Sequence, residues 1–237
     1  MNITKETLIG ELVATDYRAA SVFKQNGIDF CCNGNRTLEE ACSNKNIATE
    51  QVINSLLEVT SQKADTGVDF NTWPLDLLAD YIEKKHHRYV EAKIPEIIPY
   101  LDKIVQVHGG HHPELLEVQQ LFRESAGELS AHMKKEELIL FPLIRKMIKN
   151  ANAGNNAEII MGSVTSPIQR MMEEHETEGD RFRKISELTN NYTTPADGCN
   201  TYRVTLALLK EFEDDLHLHI HLENNILFPK AIAMESN

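Results

Sequence analysis

The sequence has little glycine, proline and aromatic residue. Its 237 positions include 11 glycines and 8 prolines, aromatic residues make up 6%, and few runs are rich in β-branched residues. Strands are enriched in β-branched and aromatic side chains, so this scarcity argues against a β protein. Hydrophobic residues account for 41% of the chain, which is enough to form a core. The composition therefore predicts an all-α protein.

Long apolar runs are also missing. The chain has no run of about 18 apolar residues, which argues against a membrane-spanning helix. Residues Met1–Glu6 lack the apolar core of a signal peptide. We therefore expect a cytoplasmic protein that has no membrane partner. Its cysteines, Cys31, Cys32, Cys42 and Cys199, are expected to be mostly reduced and to form no disulfide framework.

Positive charge is in the minority. The formal net charge is −12, with 24 Lys and Arg against 36 Asp and Glu. An acidic surface repels the phosphate backbone of DNA or RNA. The sequence therefore predicts no nucleic-acid partner.

The first part of the chain reads as a small helical domain at residues 1–60. Thr4 is predicted to cap its first helix, and Gly27 to end its second. Thr37 with Glu40 matches a capping box, which predicts the start of another helix.

The remainder divides into a linker and a larger domain. Residues 61–72 are mostly polar and are predicted to form a linker, and residues 73–237 the second domain. Apolar residues at helical spacing predict four long helices there, and residues 150–156 are predicted to form a turn. The helices are expected at about 74–106, 113–149, 166–190 and 201–233. Short connections between such helices indicate an antiparallel four-helix bundle.

Four prolines fall inside these predicted helices. They are Pro95, Pro99, Pro142 and Pro229. Proline removes a backbone donor and clashes with the preceding turn. Each is therefore expected to kink its helix or to end it early.

An eleven-residue pattern, H-x-x-x-E-x-x-I-L-F-P, occurs twice. The copies are His132–Pro142 and His219–Pro229, 87 residues apart. Residues four apart lie on the same face of a helix, so each copy places an imidazole beside a carboxylate. Helical bundles build metal sites in their cores from such pairs.

The apolar stripes of the four helices indicate which histidines face the core. The predicted inward-facing polar residues are His87, His132, Glu136, His175, His219 and Glu223. His87 is predicted in preference to His86 because its stripe is the more apolar, and His217 and His221 fall on the polar side of the fourth helix. One buried histidine per helix, together with two carboxylates, predicts a metal site. The alternative is a metal-free bundle with hydrogen-bonded core histidines.

Imidazole and carboxylate without thiolate favour iron or manganese over structural zinc. Two carboxylates and four histidines can hold two ions if Glu136 and Glu223 bridge them. An oxide or hydroxide bridge then leaves one position on each ion for a small ligand.

These residues resemble a known family. The two His/Glu pairs, with His87 and His175, are similar to the hemerythrin-like di-iron bundle. The chain more closely resembles the RIC (ScdA-type) iron-sulfur cluster repair proteins, which carry a Cys-Cys pair in a helical domain ahead of the bundle. Asp29–Gly34, with the sequence DFCCNG, matches that element, and Met172–Glu176 and Leu222–Pro229 match the bundle. The resemblance covers nearly the whole chain.

The resemblance implies a non-haem centre of two iron ions with oxo and carboxylate bridges. The implied terminal ligands are His87, His132, His175 and His219, and the implied bridges are Glu136 and Glu223. It also implies a cytoplasmic homodimer that repairs iron-sulfur clusters damaged by nitrosative or oxidative stress. Its partners would be damaged iron-sulfur proteins and the small ligands NO or O2.

Three mechanisms stay open on the sequence. The centre is expected to supply iron to damaged clusters. Alternatively it is a di-iron nitric oxide reductase that produces nitrous oxide, or a hemerythrin-like O2 or NO sensor. The sequence therefore does not decide whether the protein is an enzyme.

The third helix departs from the oxygen-carrying hemerythrins. Those have a second histidine four residues after the first, where this chain has Gly179 after His175. The missing ligand clears space beside the ion, which favours ligand exchange or iron release over oxygen storage.

Other residues near these motifs have open roles. Glu174 is predicted either to support the site from outside the ligand set or to be a solvated carboxylate. Cys31 and Cys32 are predicted to be redox thiols or a client contact, the alternative being buried thiols without a role. His108 reads as a loop or cap residue more than a ligand, and Glu91 either lies near His87 or is exposed.

Overall fold

The computed structural model describes residues 3–61, 68–152 and 163–235. Across these ranges the chain forms helices and turns without a β-strand, apart from an isolated bridge between Leu8 and Thr37. The prediction of an all-α protein is confirmed. In the described part of the chain, no helix is long and apolar enough to cross a membrane.

The helices are numbered in chain order. They are α1 Ile9–Thr15, α2 Ala19–Gln25, α3 Leu38–Asn44, α4 Thr49–Ser61, α5 Leu75–Tyr81, α6 Arg88–His108, α7 Glu114–Lys135, α8 Phe141–Asn152, α9 Thr165–Leu188, α10 Asn200–Leu222 and α11 Phe228–Glu235. Three π-helical turns join some of them without a break, at Ile82–His87, Glu136–Leu140 and Glu223–Leu227. A short 3-10 helix spans Phe70–Thr72.

The chain forms two compact units. The first comprises the residues up to Leu78 together with those from Ile220 onward, and the second spans Ala79–His219. Of the predicted linker, residues 62–67 lie outside the described residues. Of the turn predicted at 150–156, residues 150–152 belong to α8 and the others are likewise not described.

Local signals account for most of the short helices in the first unit. Thr37 and Glu40 form the predicted capping box, each side chain accepting a hydrogen bond from the other's backbone N–H. Gly27 follows α2 with a φ of 62°, a conformation that favours glycine. The prediction that Thr4 caps the first helix is wrong, since α1 begins at Ile9.

Aromatic rings mark the core of the second unit. The Phe212 ring of α10 lies 5.4 Å from that of Phe122 in α7 and 5.6 Å from that of Phe182 in α9. Tyr89 of α6 approaches Phe212 at 6.2 Å. The long helices therefore share one apolar core, in agreement with the predicted bundle.

The first repeat copy contains a π-helical turn, Glu136–Leu140, where an α-helix was expected. The N–H of Phe141 donates to the carbonyl of Glu136, five residues back. Pro142 follows directly and has no N–H to continue the regular pattern. Helical structure resumes after it, so the proline shifts the helix without ending it.

The second copy has the same local structure. Its π-helical turn is Glu223–Leu227, the N–H of Phe228 donates to the carbonyl of Glu223, and Pro229 follows. The repeat therefore encodes a backbone irregularity as well as a His/Glu pair, and such turns are frequent at functional sites.

The other two prolines leave their helix intact. Pro95 and Pro99 both lie inside α6, which continues to His108, so neither ends the helix early and a kink stays the prediction. Both residues are exposed, and on that face water can bind the carbonyls that lack a backbone donor.

Candidate metal centre

Five of the predicted ligands lie in the second unit, and all five are buried. His87 is the last residue of a π-helical turn, His132 lies in α7, His175 in α9 and His219 in α10. Glu136 is the first residue after the end of α7. None of their side chains is more than 3% exposed. Each long helix of the bundle thus directs one imidazole into the interior.

Glu136 lies at the centre of this cluster. Its Oε2 atom is 3.4 Å from His87 Nε2 and 3.3 Å from His132 Nε2. His175 Nε2 is 3.0 Å from His132 Nε2, and the His87 and His219 rings are 5.0 Å apart. The ligand atoms of His87, Glu136 and His219 lie within 4.8 Å of one another, and so do those of His132, Glu136 and His175. A carboxylate shared by two groups of nitrogen ligands has the position of a bridge between two cations.

Glu223 is the remaining predicted ligand. The helix passes from His219 to Glu223 without a break, with the same four-residue spacing as His132 and Glu136. The Glu223 side chain is fully buried. It therefore lies on the same face of its helix as His219, and its role as the second bridge stays a prediction.

The donor chemistry fits a metal ion. Burying an ionised carboxylate is costly unless a charge partner or strong hydrogen bonds compensate. Glu136 is fully buried and lies among imidazole nitrogens, which bind transition metals in their neutral form. Imidazole and carboxylate donors suit iron and manganese. The second unit can therefore hold a metal in each group.

Carboxylates outside the cluster hold two of the imidazoles. Glu137 Oε1 lies 3.1 Å from His87 Nδ1, and Glu174 Oε2 lies 2.9 Å from His132 Nδ1. Such a contact places the ring proton on Nδ1 and leaves the Nε2 lone pair for a metal. In both rings Nε2 is the atom that faces Glu136.

Glu174 is held in turn by two cations. Its Oε1 atom accepts hydrogen bonds from Lys135 Nζ at 2.5 Å and Arg170 Nε at 2.9 Å. Its hydrogen bond with His132, followed in size by the one with Lys135, lowers the pKa of Glu174 to about 2 despite partial burial. This is the position that the predicted supporting role requires.

A groove between α7 and α9 leads from solvent to half of the cluster. His132 and His175 are among its lining residues, with Lys135, Arg170 and Glu174. The ligand group that contains His132 and His175 therefore lies next to an opening to solvent.

Replacing Glu174 by alanine is expected to weaken metal binding about 10- to 100-fold, since His132 would lose the partner that orients its ring. The matched control is Glu173→Ala, because Glu173 is exposed and lines the same groove. Competition with a chelator measures both affinities. Equal affinities for the two variants would contradict the role of Glu174.

Comparison with known families divides the chain in two. Residues 5–60 match the ScdA N-terminal model, described as a Domain of Unknown function (DUF542). Residues 78–231 match the Hemerythrin HHE cation binding domain.

Relatives extend over nearly the full length of the chain. It is 32% identical over 230 residues to an iron-sulfur cluster repair protein ScdA of Staphylococcus haemolyticus, covering 96% of this chain and 99% of that protein. It is 34% identical to an iron-sulfur cluster repair protein YtfE of Musicola paradisiaca, covering 98% and 99%. The chain belongs to the ScdA/YtfE family. An Escherichia coli YtfE is also 34% identical, with coverage of 96% and 97%.

The Cys-Cys turn of this ScdA/YtfE family member is held by Asp29. Its Oδ1 atom accepts hydrogen bonds from the N–H groups of Cys31 and Cys32, at 3.1 and 3.0 Å. The two Sγ atoms are 3.7 Å apart, and these three residues form a further group that could hold a metal. The hydrogen bond with Cys32 and burial raise the pKa of Cys31 well above its ordinary value. Cys31 is therefore a neutral thiol at pH 7, and the redox role of the pair stays a prediction.

Two asparagines of the second repeat copy bind this turn. Asn224 Nδ2 donates to the Cys31 carbonyl at 3.2 Å, and Asn225 Nδ2 donates to the Phe30 carbonyl at 3.2 Å. Asn224 occupies the position that Glu137 has in the first copy. The repeat pattern leaves this position variable, so it does not predict the contact between Asn224 and the Cys31 carbonyl.

His86 is buried, although the polar stripe on which it lies predicted an exposed side chain. Its Nδ1 atom lies 3.1 Å from Asp215, and its ring stacks on that of His219 at 5.6 Å and 11°. The cause is the π-helical turn Ile82–His87, which shifts the helical phase and buries two successive histidines. Periodicity of 3.6 residues cannot predict such a shift.

His221 is also buried, against the prediction that it faces solvent. Its Nδ1 atom lies 3.0 Å from Asn225 Nδ2, and its ring contacts those of Tyr17 and Phe30. Burial lowers the pKa of His221 to about 4, so the ring is neutral. It is a hydrogen-bonded core histidine.

Glu91 and Gly179 lie outside the two groups of ligands. Glu91 is exposed and binds Arg88 and Lys134, while Glu137 takes the position beside His87. Gly179 is buried in α9.

Proposed function

We propose that this chain repairs iron-sulfur clusters damaged by nitrosative or oxidative stress, by supplying iron from a centre of two non-haem ions. The observation that carries the proposal is the buried carboxylate of Glu136, shared by two groups of histidines. The relatives named for iron-sulfur cluster repair support the same reaction, since the similarity covers both parts of the chain.

The proposed ligands divide between two ions. His87 and His219 would hold one ion, and His132 and His175 would hold the other. Glu136 and Glu223 would be shared by both ions. When bound, the irons supply exchangeable coordination positions and one-electron redox chemistry. The resemblance to the hemerythrin-like di-iron proteins supports this division.

Iron release is proposed at the group that faces the groove. His132 and His175 line it, and Gly179 offers no ligand on the next turn of α9. Glu174, held by Lys135 and Arg170, keeps the His132 ring in place at this opening. A change in that carboxylate's contacts would free the ring that holds the departing ion.

The proposed partners follow from the same reading. Damaged iron-sulfur proteins would receive the iron, and NO or O2 would be the small ligands of the centre. The proposed setting is the cytoplasm, where cysteines stay reduced, and the proposed assembly is a homodimer, on the strength of the family resemblance.

Iron transfer is tested with an iron-sulfur enzyme inactivated by nitric oxide. The full-length protein loaded with about two irons per chain should restore its activity, as expected of a di-iron carboxylate bundle. His132→Ala should bind less iron and restore little activity. His111→Ala is the matched control, because His111 is exposed in the turn before α7.

Two outcomes would reject iron supply. One is a fully loaded protein that restores no activity. The other is nitrous oxide formed under turnover without any iron reaching the client, which would favour the reductase alternative.

A further inference from the structure

A second cluster of reactive side chains lies in the second unit, away from the metal ligands. His108 Nε2 is 3.2 Å from the Sγ atom of Cys199. Cys199 is exposed and His108 is half-buried. From Cys199 to His219 the chain runs along α10, which separates them by about 30 Å at 1.5 Å per residue.

Both residues lie at helix ends that favour opposite charges. Cys199 directly precedes α10, and its carbonyl accepts a hydrogen bond from the Arg203 N–H at 3.1 Å. It is thus the N-cap residue of a 23-residue helix, where an anion is stabilised. His108 is the last residue of α6, where a cation is stabilised. The end of α10 therefore favours a thiolate at Cys199, within hydrogen-bond distance of the His108 ring.

The thiol itself responds to these neighbours. The hydrogen bond from His108, followed by those of nearby backbone N–H groups, lowers the pKa of Cys199 to about 7 from an ordinary value of 9.0. At pH 7 about half of the thiol is then ionised, against about one part in a hundred for an unperturbed cysteine.

The charged groups around the pair largely form ion pairs with one another. His112 binds Glu114 through Nδ1 and Asp197 through Nε2, each at 3.0 Å. The hydrogen bond from His112 lowers the pKa of Asp197, so that carboxylate is ionised and paired. The ring of Tyr202 lies edge-on to both His108 and His112, at 5.3 and 5.6 Å.

We propose that Cys199 and His108 form a hydrogen-bonded pair that exchanges with low-molecular-weight disulfides, which makes Cys199 a site of mixed-disulfide modification. The Cys199 sulfur attacks one sulfur of the small disulfide and forms a new S–S bond. The original S–S bond breaks, and the leaving thiolate takes the proton that the Cys199 thiol gave up to His108 Nε2. One disulfide is consumed and one is formed, so no other oxidant is required.

Two of the three other cysteines provide internal comparisons. The pKa of Cys31 is raised by its hydrogen bond with Cys32, and that of Cys42 by burial. Cys199 is therefore expected to react before either, and the reaction does not depend on the metal centre.

The test treats the full-length protein with glutathione disulfide at pH 7 and locates the modification by peptide mass mapping. Cys199 should be modified first, with a rate that rises with pH to a midpoint near 7, as the thiolate forms. His108→Gln should slow the reaction roughly tenfold at pH 7 and move the midpoint upward. His111→Gln, at an exposed neighbouring position, should change neither.

Three results would overturn the proposal. The first is modification of another cysteine before Cys199, and the second is an unchanged rate in His108→Gln. The third needs no variant: a midpoint near 9 in the unaltered protein would mean that the surroundings do not lower the pKa of the Cys199 thiol.

Discussion

Replacing Glu136 by leucine is expected to abolish the proposed iron binding at both groups of ligands and to make the metal-free protein more stable. Glu136 is fully buried and contacts both His87 and His132. A buried ionised group is costly in the absence of a metal, and replacing such groups by apolar residues of similar volume often stabilises a protein by about 1–4 kcal/mol. The same change removes the carboxylate that the two ions would share.

Iron content and urea unfolding of the metal-free form measure the two effects. The matched control is Glu137→Leu, one residue away, where the carboxylate binds the far nitrogen of His87. That variant should keep iron with lower affinity. An iron-loaded Glu136→Leu protein would reject the bridge, and a metal-free variant of reduced stability would mean that Glu136 has a structural role.

Replacing Gly34 by alanine is expected to destabilise the first unit by about 2–4 kcal/mol. A Cβ atom at Gly34 would lie 2.4 Å from Asn225 Oδ1, 2.8 Å from the Phe30 carbonyl oxygen and 2.9 Å from Gly10 Cα. Two of these atoms belong to the backbone and cannot turn aside. The change should therefore displace the turn that carries Cys31.

The matched control is Gly127→Ala, in the middle of α7, where a Cβ would meet nothing within 4 Å. Alanine is the better helix former there, so that variant should be more stable by about 0.5–1 kcal/mol. Urea unfolding measures whether the free energy of unfolding falls in Gly34→Ala and rises in Gly127→Ala. A Gly34→Ala protein as stable as the unaltered one would contradict the close packing of this turn on Asn225.

Helical periodicity alone was sufficient to predict the long helices and the burial of the predicted ligands. His132, Glu136 and His219 lie on continuous apolar stripes, and such a stripe indicates which face of a helix is buried. His87 lies on such a stripe and is buried, as predicted. His86 is buried as well, which its own stripe does not predict.

The sequence by itself determined which residues face the interior of each helix, because that depends on local hydrogen bonding and an apolar stripe. Only the tertiary structure decided the contacts between helices. Glu137, not Glu91, is the partner of His87, and His108 meets Cys199 from 91 residues away. Such pairs depend on how helices align and where π-helical turns shift their phase, and neither leaves a periodic signal in the chain.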